Sequence, residues 1–412
     1  MSHMNSLRII NASVLDIATG TILPGRTIAI RDGLIAEVSD SAVTGELFPG
    51  EELLDVAGKI VMPGLIDGHV HVMAGTADLG GLSSWSPNYA AAQSARLMKD
   101  MLHRGFTTVR DVAGADYGLA QAVEEGLFVG PRVVFGGKAL SQTGGHGDMR
   151  GPGSSFQDDH QCCPSISIIC DGADAVRKGA RDQLRTGANH VKIMLSGGVA
   201  SPTDRVDSTQ FSDEEIVAVV EEARAVNRYV TGHAYTARAV NRGLKLGVRC
   251  IEHGNLIDDE SVALFVENNA YLVPTLITYQ RLKIDGVKNG LSESSHEKVD
   301  LVLNAGLEAL ARATRGGVNV VFGTDLLGDM QQHQSEEFSV RAQVQSSWEI
   351  LRSATLTAAE LMGMEGQVGV IAPGAFADLL VLNKNPLDDV TVLSEPETSI
   401  DLILKAGHVV DR

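Results

Sequence analysis

Two histidines separated by one residue, His69 and His71, end an apolar run that begins at Val61. Side chains of a β-strand alternate between its two faces, so both imidazoles are expected to point to the same side. Neutral imidazole is a common ligand of divalent zinc, which predicts a metal site at the end of this strand. A His-x-His pair alone is weak evidence, because polar residues at a strand end are often only hydrated. The prediction therefore requires further ligands from elsewhere in the chain.

Other polar residues of the same chemistry lie in or at the end of later apolar runs. The candidates are Lys192, His233, His253 and Asp325. Together with the histidine pair they fall in the first, fourth, fifth, sixth and eighth of eight strand-like runs, which are 61–72, 107–112, 132–136, 190–195, 229–233, 249–253, 271–275 and 319–325. Unrelated surface residues are not expected to show this regular placement.

The segments between these runs show helical spacing of apolar residues, for example 212–228, 261–269 and 293–315. Eight strands that alternate with helices predict an α/β protein with a parallel sheet, and eight is the number that closes a (β/α)8 TIM barrel. Functional side chains of such a barrel lie at the carboxyl ends of its strands, where the βα loops meet. The candidate ligands are therefore expected to converge on one site.

Both ends of the chain have a different pattern, in which short β-like runs alternate with turns. The Asp32-Gly33 pair between two such runs indicates a hairpin. Neither end carries enough apolar residues for its own core. We therefore expect one small β-sandwich domain formed from residues 5–60 and 371–412, with the barrel of residues 61–370 inserted between its two halves.

The composition excludes several classes of partner. The 412 residues are 44% apolar and 21% charged, and the formal net charge is −18 without a basic patch. Binding to nucleic acid or to an anionic membrane surface is therefore disfavoured. No apolar run reaches the roughly 18–20 residues that span a bilayer. The cysteines lack zinc-finger spacing, which favours free thiols and a cytoplasmic location; they are Cys162, Cys163, Cys170 and Cys250.

The first four residues have the form of a cloning remnant, Met1-Ser2-His3-Met4. A native signal peptide could therefore have been removed and replaced by these residues.

The combination of these motifs resembles the metal-dependent amidohydrolase superfamily over nearly the whole chain. The residues that carry the resemblance are Gly68-His69-Val70-His71, Lys192, Gly232-His233-Ala234-Tyr235, Ile251-Glu252-His253-Gly254 and Gly323-Thr324-Asp325. Within the superfamily the chain most resembles the imidazolonepropionase-like branch. That branch includes prolidase-like Xaa-Pro dipeptidases, related carboxypeptidase-like enzymes and ochratoxin-hydrolysing amidases.

The resemblance implies two divalent metal ions, with zinc expected, although nitrogen and oxygen ligands also accept manganese, cobalt or iron. His69, His71 and Asp325 would bind one ion, and His233 and His253 the other. Lys192 would react with carbon dioxide to form a carbamate that bridges both ions. The metals would lower the pKa of a bridging water, and Asp325 would take its proton and pass it to the leaving amine.

Substrate contacts are also expected from the resemblance. His146 follows the third strand and Tyr235 follows His233 by two residues, and these motif positions would hold the carboxylate or carbonyl of the substrate. Arg110, near the end of the second strand, is instead expected to be a buried partner of an acidic residue. The resemblance further suggests a homo-oligomer, up to an octamer.

Three functions are compatible with these residues. The favoured one is hydrolysis of the amide next to a C-terminal hydrophobic, aromatic or prolyl residue, in dipeptides or N-acyl amino acids that include ochratoxin-type amides. The second is a cyclic-amide hydrolase of the hydantoinase or imidazolonepropionase kind, or a deaminase; a mononuclear deaminase would not need Lys192. The third is a non-catalytic scaffold, which would have lost ligands, whereas none is missing.

Overall fold

The computed structural model of the protein describes residues 6–40, 50–154 and 164–411. Within these ranges the strands are β1 Ser6–Asp16, β2 Thr21–Arg31, β3 Leu34–Ser39, β4 Glu51–Asp55, β5 Ile60–Pro63, β6 Leu65–Val70, β7 Phe106–Asp111, β8 Arg132–Phe135, β9 Ala139–Ser141, β10 Ser167–Ile169, β11 His190–Met194, β12 Tyr229–Thr236, β13 Cys250–Leu256, β14 Tyr271–Val273, β15 Asn319–Val320, β16 Leu379–Leu382, β17 Ile400–Lys405 and β18 His408–Val409. Cys162 and Cys163 lie outside the described residues.

The α-helices of the same ranges are α1 Pro87–His103, α2 Tyr117–Glu124, α3 Ala173–Arg185, α4 Asp213–Ala225, α5 Ala237–Lys245, α6 Asp259–Glu267, α7 Leu276–Asp285, α8 Glu293–Leu303, α9 Gly306–Arg315, α10 Glu337–Arg341, α11 Ser347–Ser353, α12 Leu356–Met362 and α13 Pro396–Ser399. α4 begins with the capping box that Ser212 and Glu215 predict. None of the helices in the described part of the chain is long and apolar enough to cross a membrane.

Strands from both ends of the chain share one eight-stranded sheet. Its order is β18-β17-β16-β5-β1-β2-β3, and β4 pairs with β1 off this path. β2 and β3 form the hairpin predicted at Asp32-Gly33, with Arg31 opposite Leu34 and positive φ at both turn residues. The apolar side chains of these strands form a buried cluster of their own, which includes Ile9, Ile28 and Leu379.

The remaining strands are parallel, and the chain is an α/β protein. β6, β7 and β8 form one sheet, and a second has the order β10-β9-β11-β12-β13-β14-β15. Backbone hydrogen bonds connect the two sheets at two places. Gly68 N of β6 donates to Phe322 O, just after β15, at 2.7 Å, and Asn189 N, just before β11, donates to Phe135 O of β8 at 2.8 Å. This arrangement is compatible with a barrel, and it brings the carboxyl ends of the strands together.

The apolar run 61–72 forms two strands in different sheets rather than one. β5 pairs with β16 and β1 in the terminal sheet, and after Gly64 the chain continues as β6 beside β7. At Gly64 an added Cβ would lie 2.1 Å from Oγ1 of Thr107, so the close approach there requires glycine. The expected domain boundary after residue 60 therefore falls at the start of a strand of the terminal sheet.

The helical pattern predicted over 293–315 is wrong in one respect, because the segment forms two helices, α8 and α9. The chain leaves the helix at Asn304 and Ala305 and re-enters it at Gly306. The apolar spacing continues across this break, so it carried no sign of the interruption. The second of these helices packs beside β13, which bears one of the candidate histidines.

Candidate active site

Two buried histidines, His69 and His71, and the partly buried Asp325 form a compact group of potential metal ligands. The two histidines lie in and just after β6, and their Nε2 atoms are 3.2 and 3.1 Å from Oδ1 of Asp325. One potential ligand atom of each residue lies within 4.8 Å of the others. Imidazole nitrogen and carboxylate oxygen are both ordinary ligands of divalent cations, so this group has the chemistry of a metal site.

In each of the four candidate histidines, one ring nitrogen is within hydrogen-bond distance of another residue of the chain. Nδ1 of His69 lies 2.7 Å from Glu252 Oε2, and Nδ1 of His71 lies 2.7 Å from Ala113 O. The remaining two contacts are His253 Nδ1 to Thr275 Oγ1 at 2.8 Å and His233 Nε2 to Gly197 O at 3.2 Å. Metal-binding histidines usually donate their second N–H in this way, which fixes the ring and leaves one nitrogen for the ion.

His233, His253 and Lys192 complete the group around one cavity that also contains His69, His71 and Asp325. The rings of His233 and His253 are 4.6 Å apart, and the ring of His69 lies 5.1 Å from that of His253. Burial is the main cause that holds the pKa of His233 and of His253 well below the usual value, which keeps both rings neutral, as metal ligands must be. Burial also lowers the pKa of Lys192.

Asp325 lies beyond the end of its strand. The sequence places it at the end of a strand 319–325, but the regular ladder of β15 stops at Val320. Asp325 N instead donates to His69 O at 2.9 Å, and its φ of 54° lies in the left-handed region. His253 and Thr275 also have positive φ. Such conformations persist only where the surroundings determine them, and they cluster at functional sites.

A buried ion pair between Arg110 and Glu252 contacts His69. Glu252 accepts a hydrogen bond from Arg110 Nη2 at 2.6 Å and contacts His69, and all three side chains are almost fully buried. Burial opposes the ionisation of Glu252, but Arg110 and His69 hold its pKa well below the usual value. The prediction that Arg110 is the buried partner of an acidic residue is confirmed.

We expect the Glu252→Gln variant to be strongly destabilised. It leaves the buried Arg110 guanidinium without its counter-charge, and breaking a buried pair in this way costs about 3–5 kcal/mol. Urea unfolding measures the effect. The matched control is Glu260→Gln, whose ion pair with Lys245 is more than half exposed and is expected to contribute little. Equal unfolding free energies for both variants would contradict this role of Glu252.

The two predicted substrate contacts, His146 and Tyr235, both line the same cavity. The ring of His146 stacks on that of His233 at 4.0 Å. The hydroxyl of Tyr235 is 3.2 Å from that of Tyr279, a residue of α7 that the sequence did not single out. The rest of the wall is largely apolar and includes Leu79, Met149, Met194, Leu282 and Leu327.

Two buried carboxylates, Asp67 and Asp111, hydrogen-bond to residues next to or within this site and were not predicted from the sequence. Asp67 accepts hydrogen bonds from His69 N at 3.0 Å and Thr324 Oγ1 at 2.6 Å, and so connects the first strand to the segment that carries Asp325. Asp111 accepts from Val72 N at 2.7 Å. The signal available for Asp67 was its position two residues before His69, on the same face of the strand.

Comparison with known proteins assigns the family. The Amidohydrolase family matches residues 60–410. A solved prolidase in complex with N-methylphosphonate-L-proline is 46% identical, with a TM-score of 0.95 over 99% of this chain and 100% of that chain. A Xaa-Pro dipeptidase with methionine bound in its active site is 27% identical, with a TM-score of 0.87 over 99% of this chain and 100% of that chain.

The ochratoxinase of Aspergillus niger is 30% identical over 423 aligned positions, which cover 97% of this chain and 87% of that protein. Its crystal structure gives a TM-score of 0.85 at 28% identity, over 98% of this chain and 95% of that chain.

The chain belongs to the amidohydrolase family, and the family predicted from the sequence is confirmed. It is accordingly a hydrolase that acts on amide or peptide bonds. Members of this family generally use divalent metals, and the His-His-Asp group fits such an ion.

Proposed function

We propose that this protein is a binuclear metal-dependent amidohydrolase that releases a C-terminal hydrophobic, aromatic or prolyl amino acid from dipeptides or N-acyl amino acids, ochratoxin-type amides included. The observation that carries the proposal is the convergence of His69, His71, Lys192 and Asp325, with the other two histidines, on one cavity. The likeness to a prolidase, a Xaa-Pro dipeptidase and an ochratoxinase supports the choice of bond. The apolar wall supports a hydrophobic substrate.

We assign the ligands as the family resemblance implies. His69, His71 and Asp325 would hold one divalent ion, and His233 and His253 a second. Lys192 is buried and lines the same cavity. It would bridge both ions as a carbamate, formed when Nζ bonds to the carbon of carbon dioxide and loses one proton. Divalent ions held there, with zinc expected from the ligand set, would supply Lewis acidity that polarises the scissile carbonyl and activates water.

The residues of the chain provide the proton transfer. The Asp325 carboxylate, 20% exposed and turned to the cavity, would take the proton of the attacking water and deliver it to the leaving amine nitrogen. Each of the four imidazoles is held in place by a hydrogen bond at its second ring nitrogen. The partners are Glu252, Ala113, Thr275 and Gly197. His146 and Tyr235 would hold the substrate beside these groups.

The architecture that we propose for this function is a (β/α)8 barrel, closed by the hydrogen bonds between the two parallel sheets. Both chain ends would form a β-sandwich domain, with its first boundary moved from residue 60 to Gly64. A homo-oligomer, up to an octamer, is a further proposal that comes from the family resemblance alone. A cytoplasmic location is proposed from the cysteine pattern of the sequence.

A hydrolysis screen tests the proposed substrate class. One sample of the protein is given several substrate classes, and its metal content is measured. The substrates are dipeptides with C-terminal Pro, Phe or Met, N-acetyl amino acids, an ochratoxin-type amide, and cyclic ureas and imides. We expect release of the free C-terminal amino acid with about two metal ions per chain. Turnover confined to cyclic ureas or imides would favour the hydantoinase-like alternative and contradict the proposal.

A further inference from the structure

A second cavity, of about 390 Å³, lies at the amino-terminal ends of the parallel strands, opposite the candidate active site. Its walls come from the last turns of α4 and α5, the residues after α6 and the starts of β12 and β13. β12 begins at Tyr229 in this cavity and carries His233 four residues later, a distance of roughly 13 Å along the strand. The two cavities share no lining residue, and the proposed function gives this one no role.

Three arginines line this second cavity, and all of them are exposed: Arg224, Arg228 and Arg249. Carboxylates are abundant in the chain, which has 52 acidic residues against 34 Lys and Arg. Nevertheless, within the described ranges 6–40, 50–154 and 164–411, none of the three forms an ion pair. Arg224 Nη2 reaches Gly247 O at 3.5 Å, which is a long hydrogen bond. The cavity therefore gathers three positive charges that these parts of the chain do not neutralise.

Two of the three guanidinium groups lie against the wall of the cavity. That of Arg249 lies over the rings of Tyr229 and Tyr271, 5.7 and 5.4 Å from their centroids. That of Arg224 lies against Gly247, where an added Cβ would be 2.5 Å from Nη2 and where φ is 96°. Contacts with ring faces and with a glycine backbone position a guanidinium and leave most of its N–H groups available to a ligand.

The chemistry of the cavity favours a phosphoryl group as the ligand. Guanidinium groups bind carboxylate and phosphate oxygens through paired N–H donors. One carboxylate brings a single charge and two oxygens, which is too little for three guanidinium groups. A phosphoryl group has a charge of about −1.5 to −2 at pH 7 and three strong acceptor oxygens. The apolar side chains of Val220, Leu244 and Val248 line the same space and could contact the organic part of a small ester.

We propose that the cavity lined by Arg224, Arg228 and Arg249 binds a phosphoryl group, either of a small phosphate ester or of free phosphate. The site is separate from the candidate active site, because it lies at the other end of the strands that carry His233 and His253. The proposal does not depend on the proposed function, since it rests on the charges and the shape of this second cavity alone.

Calorimetric titration of the metal-loaded protein at constant ionic strength tests the proposal. The probes are glycerol 3-phosphate, orthophosphate and acetate. We expect both phosphates to bind saturably with Kd below about 1 mM, and at least about tenfold more tightly than acetate. Tighter binding of glycerol 3-phosphate would identify an ester as the ligand, and equal affinities would identify the free anion. Both results support a phosphoryl site.

The Arg228→Gln variant locates the binding. Its affinity for both phosphates is expected to fall about tenfold or more, the effect of losing a hydrogen bond to a charged group. Metal content and thermal unfolding should not change, because this side chain is exposed. The matched control is Arg185→Gln, since Arg185 is an exposed arginine in the last turn of α3, as Arg224 is in α4. It removes the same charge outside the cavity and should keep the wild-type affinity.

Three results would overturn the proposal. Unchanged phosphate affinity in Arg228→Gln would place the anion elsewhere, such as at the proposed metal ions. Acetate that binds as tightly as the phosphates would show that the cavity does not select a phosphoryl group. The third is the absence of saturable binding. If light scattering then gave a lower oligomer mass for Arg228→Gln than for the wild type, the arginines would be assigned to a contact with a second copy of the chain.

Discussion

The Asp325→Asn variant is expected to lose roughly 10²- to 10⁴-fold in kcat on an N-acyl amino acid, the range for removing a general acid–base group. The amide cannot take the proton of the attacking water and is a poorer metal ligand than the carboxylate. The fold should survive, because Asn adopts the left-handed region readily and the φ of this residue is 54°. Steady-state kinetics, metal analysis and thermal unfolding of the same preparation measure these effects.

A change at a nearby exposed carboxylate separates this role from a general effect of charge. Asp329→Asn alters a side chain that is 77% exposed, four residues further along the chain. It should retain wild-type activity and metal content. Full activity of Asp325→Asn would eliminate the role assigned to this carboxylate.

The Lys192→Met variant is expected to bind about one metal ion in place of two and to lose on the order of 10²-fold or more in kcat. Methionine fills a similar volume in this buried position but has no amine that can bond to carbon dioxide. In wild-type protein equilibrated with ¹³C-labelled carbon dioxide, NMR should detect a carbamate carbon that is absent from the variant.

Lys178→Met provides the comparison for this substitution, since Lys178 is exposed on α3. Its metal content, carbamate signal and activity should equal those of the wild type. Two bound ions and unchanged turnover in Lys192→Met would show that the lysine does not bridge the metals.

Local patterns account for the parts of the fold and site that were predictable. The i, i+2 spacing of His69 and His71 indicated a shared strand face, and the order of apolar runs placed Lys192, His233 and His253 in parallel strands. The capping box at Ser212 and the hairpin at Asp32-Gly33 depend on neighbouring residues alone. These features are short-range, and a single sequence contains them in full.

The parts that were not predictable depend on tertiary contacts. The run 61–72 was predicted as one strand although its Pro63-Gly64 pair is typical of turns. Which sheet each half joins depends on distant partners, β16 for β5 and β7 for β6. Arg224 and Arg249 share no periodic pattern, and only the folded chain brings them to one cavity. Asp325 reaches His69 and His71 from an irregular segment with a positive φ, which strand alternation does not describe.

Titration of the metal-free protein with zinc, followed by release of phenylalanine from N-acetyl-L-phenylalanine, tests the binuclear amidohydrolase most directly. The ligand group of His69, His71, Lys192, His233, His253 and Asp325 predicts that activity rises with added metal, reaches its plateau at two equivalents per chain and disappears with a chelator. No release of phenylalanine at any metal content, or a plateau at one equivalent, would contradict the central claim.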